Sequence, residues 1–301
     1  MSPSVTVVTD STAYLPQEEV SRLGIVVVPL QVIVGGRPFD DVVPLDGVAR
    51  GDSAARSRGG SRADGRGVME ALGERGPVTT SRPAPRRFAD AYAEAAARGA
   101  TGVVSVHLSA EMSGTVEAAR IGAADSPVPV EVVDSRSIAM GLGFPVLAAA
   151  EAAAAGATRT EVADAARRCM ESVRSFFYVD TLEYLRRGGR IGAAATLLGS
   201  ALMMKPLLHI SGGVVVPLEK VRTAGRAIAR LEDLTAEAAG AAPVRVAVQH
   251  LRAEARAEAL AARLPRRIPG LTRVTVVEVG AVVGAHTGPG MLGLTVSPAT
   301  F

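Results

Sequence analysis

Four clusters of hydroxyl-bearing and glycine residues stand out by their chemistry: TDST at 9–12, TTSRP at 79–83, SAEMSGT at 109–115 and HTGPG at 286–290. Hydroxyls and backbone N–H groups at helix N-termini hold anions through hydrogen bonds and the helix dipole. A structural role competes at each of them. Thr80 or Ser81 could cap a helix beginning near Pro83–Pro85, and Ser113 could cap the next one. Their joint position at the ends of predicted strands favours an anion site. His286 has two readings as well. It could satisfy a nearby carbonyl, or it could be presented on a tight turn through Gly288, Pro289 and Gly290 and donate to a carboxylate or phosphate.

Other chemistries are disfavoured. No G-x-S-x-G elbow occurs around Ser113 or elsewhere, and GLGFPV at 141–146 lacks the last glycine of a dinucleotide fingerprint. There is no H-E-x-x-H, cysteine cluster or calcium loop, so no metal site and no cofactor are expected. Anion-holding groups without a nucleophile–base pair suit a binding protein rather than an enzyme. The turn Arg186-Arg187-Gly188-Gly189-Arg190 reads either as a solvated face or as a docking surface for an acidic or nucleotide-bearing partner. Arg222 is a candidate to join it in space. His107 and His250 end predicted strands and His209 lies in a hairpin arm; none of the three is given a role.

The elements that must position these groups follow a strand–helix alternation. Strands are predicted at Val5–Thr9, Gly102–Leu108 and Val130–Val133, with a second strand pair or extended run at Ile25–Val34. Helices are predicted at Pro16–Leu23, Pro85–Arg98, Ser113–Ala124 and Gly141–Ala155. That cadence implies an α/β fold with a parallel sheet, whose ligands bind at the carboxyl ends of the strands. Beyond a boundary at 155/156 the rhythm changes. Helices at Arg159–Ser175, Ala193–Met203, Thr223–Ala238 and Ala253–Leu264 mix with a strand at Phe176–Val179 and a hairpin of Leu207–Ile210 with Val214–Pro217. Further strands at Val244–His250, Val274–Val277 and Leu292–Val296 complete an α+β pattern with a mixed sheet. Two domains are expected, 1–155 and 156–301. The Gly/Ser/Arg-rich segment 48–67 is predicted to be a surface loop.

Composition sets outer limits. Of 301 residues 48% are hydrophobic and only 3% aromatic, with no Trp, so a large core must be built from small aliphatics. The same residues could line a smooth apolar tunnel. A net charge of +3 and sparse aromatics argue against a nucleic-acid partner. The single Cys169 excludes an intramolecular disulfide and is expected to be packed. The N-terminus MSPSVTVVTD lacks signal-peptide character, and the apolar stretch Ile191–Met204 is too short to span a bilayer, so the protein is expected in the cytoplasm.

Eight blocks together resemble the DegV family in order and spacing. They are VVTDSTAYLP (7–16), IVVVPLQVIV (25–34), VTTSRPAPRRFADAY (78–92), SVHLSAEMSGT (105–115), VVDSRSIAMGLG (132–143), FFYVDTLEYLRRGGRIG (176–192), MKPLLHISGGVVVPLEKVRT (204–223) and GAVVGAHTGPGMLG (280–293). The resemblance implies a two-domain protein that buries a long-chain fatty acid in an apolar tunnel. It places the carboxylate at Thr80, Ser113 and His286, with Ser81, Gly114 and Thr115 as further head-group candidates. Some members of that family are lipid-binding subunits of a bacterial fatty acid kinase, serving phospholipid metabolism. A separate ATP-binding kinase subunit phosphorylates the bound acid there. By that analogy Arg186, Arg187, Arg190 and Arg222 are docking candidates, and transient membrane contact is left open. A stand-alone lipid carrier or sensor is the alternative, and a hydrolase using Ser113 and His286 a third. Two positions depart from the family pattern: Arg82 replaces the usual Gln, and Ala84 a following Ser.

Overall fold

The computed structural model describes residues 4–41, 78–197 and 204–300. Among these the strands form three sheets. The first is parallel, in the order β2-β1-β6-β7, from β1 (Val5–Asp10), β2 (Val26–Val28), β6 (Gly102–His107) and β7 (Val130–Asp134). Every residue of β6 is buried, as expected of a strand covered on both faces. Helices Pro85–Ala97, Thr115–Ala123 and Met140–Ala154 follow β5, β6 and β7, where β5 is Val78–Ser81.

The largest sheet has the order β10-β9-β8-β13-β11-β12. Its members are β8 (Arg174–Tyr178), β9 (Lys205–Ser211), β10 (Val214–Val221), β11 (Val244–His250), β12 (Leu271–Glu278) and β13 (Leu292–Pro298). Only the β11–β12 pairing is parallel, so the sheet is mixed as the sequence implied. Helix Ala224–Ala239 packs on β13 and β8. The central hydrophobic cluster draws on both halves of the chain, with Val7, Val104 and Leu142 beside Leu208, Ala247 and Val279.

The third sheet, β4-β3-β5, was not foreseen. Its strands are β3 (Gln31–Val34), β4 (Arg37–Asp40) and β5, all antiparallel. The stretch read as a strand pair or extended run, Ile25–Val34, holds two strands, one in the parallel sheet and one in this one. The hairpin signal was present: Gly35 and Gly36 both have positive φ, 57° and 79°, as a two-residue primed turn requires. Pro38 obscured it, because proline is tolerated only at an edge, which is where β4 lies. The predicted 193–203 helix is a 3-10 helix over Gly192–Leu197, and its remainder falls outside the described residues, as does the 48–67 loop. Cys169 is fully buried, and burial pushes its thiol up to about 12, in keeping with a packed side chain. No helix among the described residues is long and apolar enough to cross a membrane.

Candidate functional site

A cavity of about 890 Å³, mouth included, opens among the three sheets. Its walls are mostly apolar, among them Leu30, Leu108, Ile138, Phe177, Ile210 and Met291. At one part of the lining Thr80, Ser81, Arg82, Ser113, Arg190 and His286 come together.

They arrive on four separate stretches of the chain, Thr80, Ser81 and Arg82 together at the end of β5. Thr80 lies in β5, paired with Val32, and is not a helix cap. Ser113 ends the turn after β6, where Ser113 N–H donates to Ser109 O at 3.1 Å. The turn is tied to the β9–β10 hairpin by Ser109 Oγ donating to Gly213 O at 2.7 Å. The next helix is capped by Gly114 without a side-chain bond, so capping by Ser113 is not observed either. The Ser113 hydroxyl instead pairs with Thr115 Oγ1 at 2.9 Å. Gly114 and Thr115 do not line the cavity. They shape the turn, and Thr115 is fully buried.

His286 departs most from expectation. The tight turn was predicted to present it, but it sits in the last turn of a helix, Ala281–Thr287. The turn through Gly288 and Gly290 follows the helix, both residues at positive φ. Nε2 lies 2.9 Å from Thr80 Oγ1, joining residues 206 apart in the chain. Nδ1 is buried without a partner and packs on Gly188, where any Cβ would overlap the imidazole. Burial, with the nearby Arg190 charge second, pushes His286 down to about 4, so the ring is neutral at pH 7. Orphaned N–H groups are rarer than orphaned acceptors, so the proton belongs on Nε2, donating to Thr80. The Thr80 O–H is then uncommitted, as is one O–H of the Ser113–Thr115 pair.

The arginine turn separates into two kinds of residue. Arg190 reaches the cavity lining, its Nε donating to Met112 O at 3.0 Å and one Nη to Gly188 O at 2.7 Å. It therefore braces the Ser113 turn against the wall behind His286. Arg186 and Arg187 are exposed and both pair with Glu183, which Arg186 first and Arg187 second hold down to about 2. Arg222 follows the end of β10 at Val221 and does not line the cavity. Arg82, exposed at the mouth, packs over Gly114, where a Cβ would overlap its guanidinium.

Two features of the site were missed in the sequence. The first is a set of fully buried polar groups beneath it: Asp10, His107, Ser105 and Tyr92. His107 Nδ1 lies 3.0 Å from Asp10, and its Nε2 2.7 Å from Ser105 Oγ, which is 2.8 Å from Tyr92 OH. Asp, His and Ser in a row invite comparison with a catalytic triad. With none of the three exposed to solvent or cavity, they serve the fold. The second is Ala139, which lines the cavity at φ 55° and ψ −139°, a region that strains any residue with a Cβ. Ala139→Gly is expected to raise stability by about 1 kcal/mol, read as a higher urea midpoint at unchanged slope.

Ser113 and His286 are each bonded elsewhere, so the nucleophile–base hydrogen bond of a hydrolase is not formed. Among the described residues no cluster of His, Cys, Asp or Glu could hold a metal ion.

Fold and site thus define an α/β protein with a parallel sheet, a mixed sheet and an apolar cavity carrying neutral hydrogen-bond donors. The family model described as "Uncharacterised protein, DegV family" matches residues 4–299, and the chain belongs to that family. A DegV domain-containing protein of Streptomyces coelicolor is 54% identical over 297 residues, 99% of each chain. Protein DegV of Bacillus subtilis is 33% identical over 296 residues. Among solved structures, a fatty-acid-binding DegV family protein from Thermus thermophilus superposes with a TM-score of 0.85 at 32% identity, covering 98% of this chain and 99% of that one. DegV of Bacillus subtilis, described as a fatty acid binding protein, gives 0.85 at 31% with the same coverage.

Proposed function

We propose that this chain binds one long-chain fatty acid, with its tail in the apolar cavity and its carboxylate at Thr80, Ser113 and His286. The observation that carries the reading is the Thr80–His286 hydroxyl–imidazole contact, which shares a mostly apolar lining with Ser113. A buried carboxylate demands hydrogen bonds, and these groups supply them without a fixed charge. Each buried methylene adds ~0.8 kcal/mol, enough to retain a long tail. Ser81 lies within the lining as a further head-group contact, whereas Gly114 and Thr115 act through the turn that holds Ser113. The relatives described as fatty-acid binders support the reading.

The finer part of the proposal is a division of labour. The chain is a non-catalytic cytoplasmic subunit that presents its bound acid to a separate ATP-binding kinase subunit, which forms the acyl phosphate for phospholipid metabolism. The 1–155 and 156–301 units belong to the same reading. Arg82 and Arg190 flank the head-group residues, and Arg186 and Arg187 lie exposed beside them, a cationic rim suited to a phosphorylated partner site. Arg222, just beyond β10, is the remaining docking candidate outside the cavity lining.

Native mass spectrometry of the purified protein is expected to show a co-purified long-chain acid. Ser113→Ala and His286→Ala should each weaken retention of the acid about tenfold, while a fatty alcohol of equal length changes less than about threefold. Equal losses for both ligands would show the carboxylate is held elsewhere. Formation of acyl phosphate on adding a kinase subunit and ATP separates a presenting subunit from a stand-alone carrier.

A further inference from the structure

A second polar group lines the same cavity and shares no element and no hydrogen bond with the head-group residues. It comprises Gln249 in β11, Thr295 in β13 and Ser175 in β8. Thr295 pairs with Ser175 across one strand boundary and with Ala247 across the other, so the three side chains rise from adjacent strands of the mixed sheet. Gln249 is 4% exposed and Thr295 0%, so bulk water does not serve these two, while Ser175 is half-buried.

Their hydrogen bonds do not use all their donors. The Gln249 amide carries two N–H groups, and Thr295 and Ser175 one O–H each. Gln249 Nε2 donates to Thr295 Oγ1 at 2.8 Å, and Thr295 and Ser175 share one bond at 3.0 Å. Gln249 Oε1 is taken by Met140 N–H at 2.8 Å, which fixes the amide's orientation beside the strained Ala139. One amide N–H and one hydroxyl O–H therefore remain without an acceptor among the described residues. A buried donor left in this state is costly, and polar groups in an apolar cavity fix what can occupy it.

We infer that this patch is a subsite for an oxygen atom carried on the acyl chain, so that the preferred ligand is a hydroxylated or keto fatty acid rather than a plain alkyl one. An oxygen on the tail accepts from the Gln249 amide and the neighbouring hydroxyl. A plain methylene chain passing the same point leaves both donors unpaired. The position of the oxygen along the chain is set by the span from the head-group residues to Gln249. The inference rests on the fatty-acid reading and names the class of acid.

The test is competition on delipidated protein, using stearic acid against a series of hydroxystearic acids with the hydroxyl at successive carbons, read by native mass spectrometry. One isomer, or two neighbouring ones, should be retained over stearic acid by at least roughly fivefold, the yield of one of the two added hydrogen bonds. The preference should vanish in Gln249→Met while stearic acid is still bound. Where loss of the Met140 contact unfolds that variant, Ser175→Ala, whose hydroxyl is bonded to the Thr295 side chain, should reduce the same preference. Stearic acid retained as well as every isomer would overturn the subsite and leave the patch a structural group solvated by ordered water. A protein that takes up none of these acids overturns the fatty-acid reading itself.

Discussion

Asp10→Ala is expected to remove about 3–5 kcal/mol of folding stability, because it leaves several buried hydrogen-bond donors without an acceptor at once. Asp10 has no exposed surface and accepts four hydrogen bonds. They come from Thr12 N–H at 3.1 Å, Thr12 Oγ1 at 2.5 Å, His107 Nδ1 at 3.0 Å and Leu108 N–H at 3.0 Å. Alanine orphans all four donors in a place that water does not reach. The carboxylate also joins the ends of β1 and β6, so its loss loosens the turn that follows β6 and carries Ser113. Tyr92→Phe, at the far end of the relay, removes a hydroxyl that meets Ser105 Oγ at 2.8 Å and Ala119 O at 3.5 Å, and should cost only about 1 kcal/mol. Urea unfolding of the three proteins at constant slope gives the comparison. An Asp10→Ala loss no larger than that of Tyr92→Phe would show that the relay is not what holds the two strands.

Much of this scaffold is legible in the sequence because its signals are local. Apolar β-branched runs such as Val5–Thr9 and Gly102–Leu108 mark buried strands, and the segments after them read as helices. The residues Thr80, Ser113 and His286 are legible as anion-holding types, yet nothing local says that they meet. That convergence depends on a bond such as Thr80–His286, across 206 residues. The helix Ala281–Thr287 is hidden for the same reason. It is seven residues long, holds Gly284 and two β-branched valines, and has little helical preference of its own. Arg190 reads as part of a solvated arginine run because its partners, Met112 O and Gly188 O, are backbone carbonyls that no pattern of side chains reveals. Gln249 escapes notice because a glutamine in a strand becomes informative only once its neighbours across the sheet are known.

The short helix owes its place to Asp41, and the two ends of the helix carry opposing responses to pH. At the N-terminal end Asp41 is buried and accepts from Val282 N–H at 3.3 Å, Ser11 Oγ at 3.0 Å and Tyr14 OH at 3.3 Å. Burial pushes Asp41 up to about 6 from 3.8. At the C-terminal end His286 is pushed down to about 4 from 6.5. Between pH 4 and 6 the folded chain keeps a proton on Asp41 that the unfolded chain has released, so this group's contribution to stability falls as pH rises, by about 3 kcal/mol in total. For His286 the unfolded chain holds the extra proton, so its contribution grows by about 3 kcal/mol as pH rises from 4 to 6.5. The two nearly cancel in the wild type. Removing either one exposes the other. Asp41→Asn should become less stable than its own neutral-pH value as the solution is acidified, through the His286 response. His286→Gln should instead gain stability over the same range, through Asp41. With the double variant as the background for all other groups, urea unfolding between about pH 4 and pH 7 gives two curves of opposite slope. Parallel curves for the single variants would show that the helix is not held between two buried titrating groups of opposite sense.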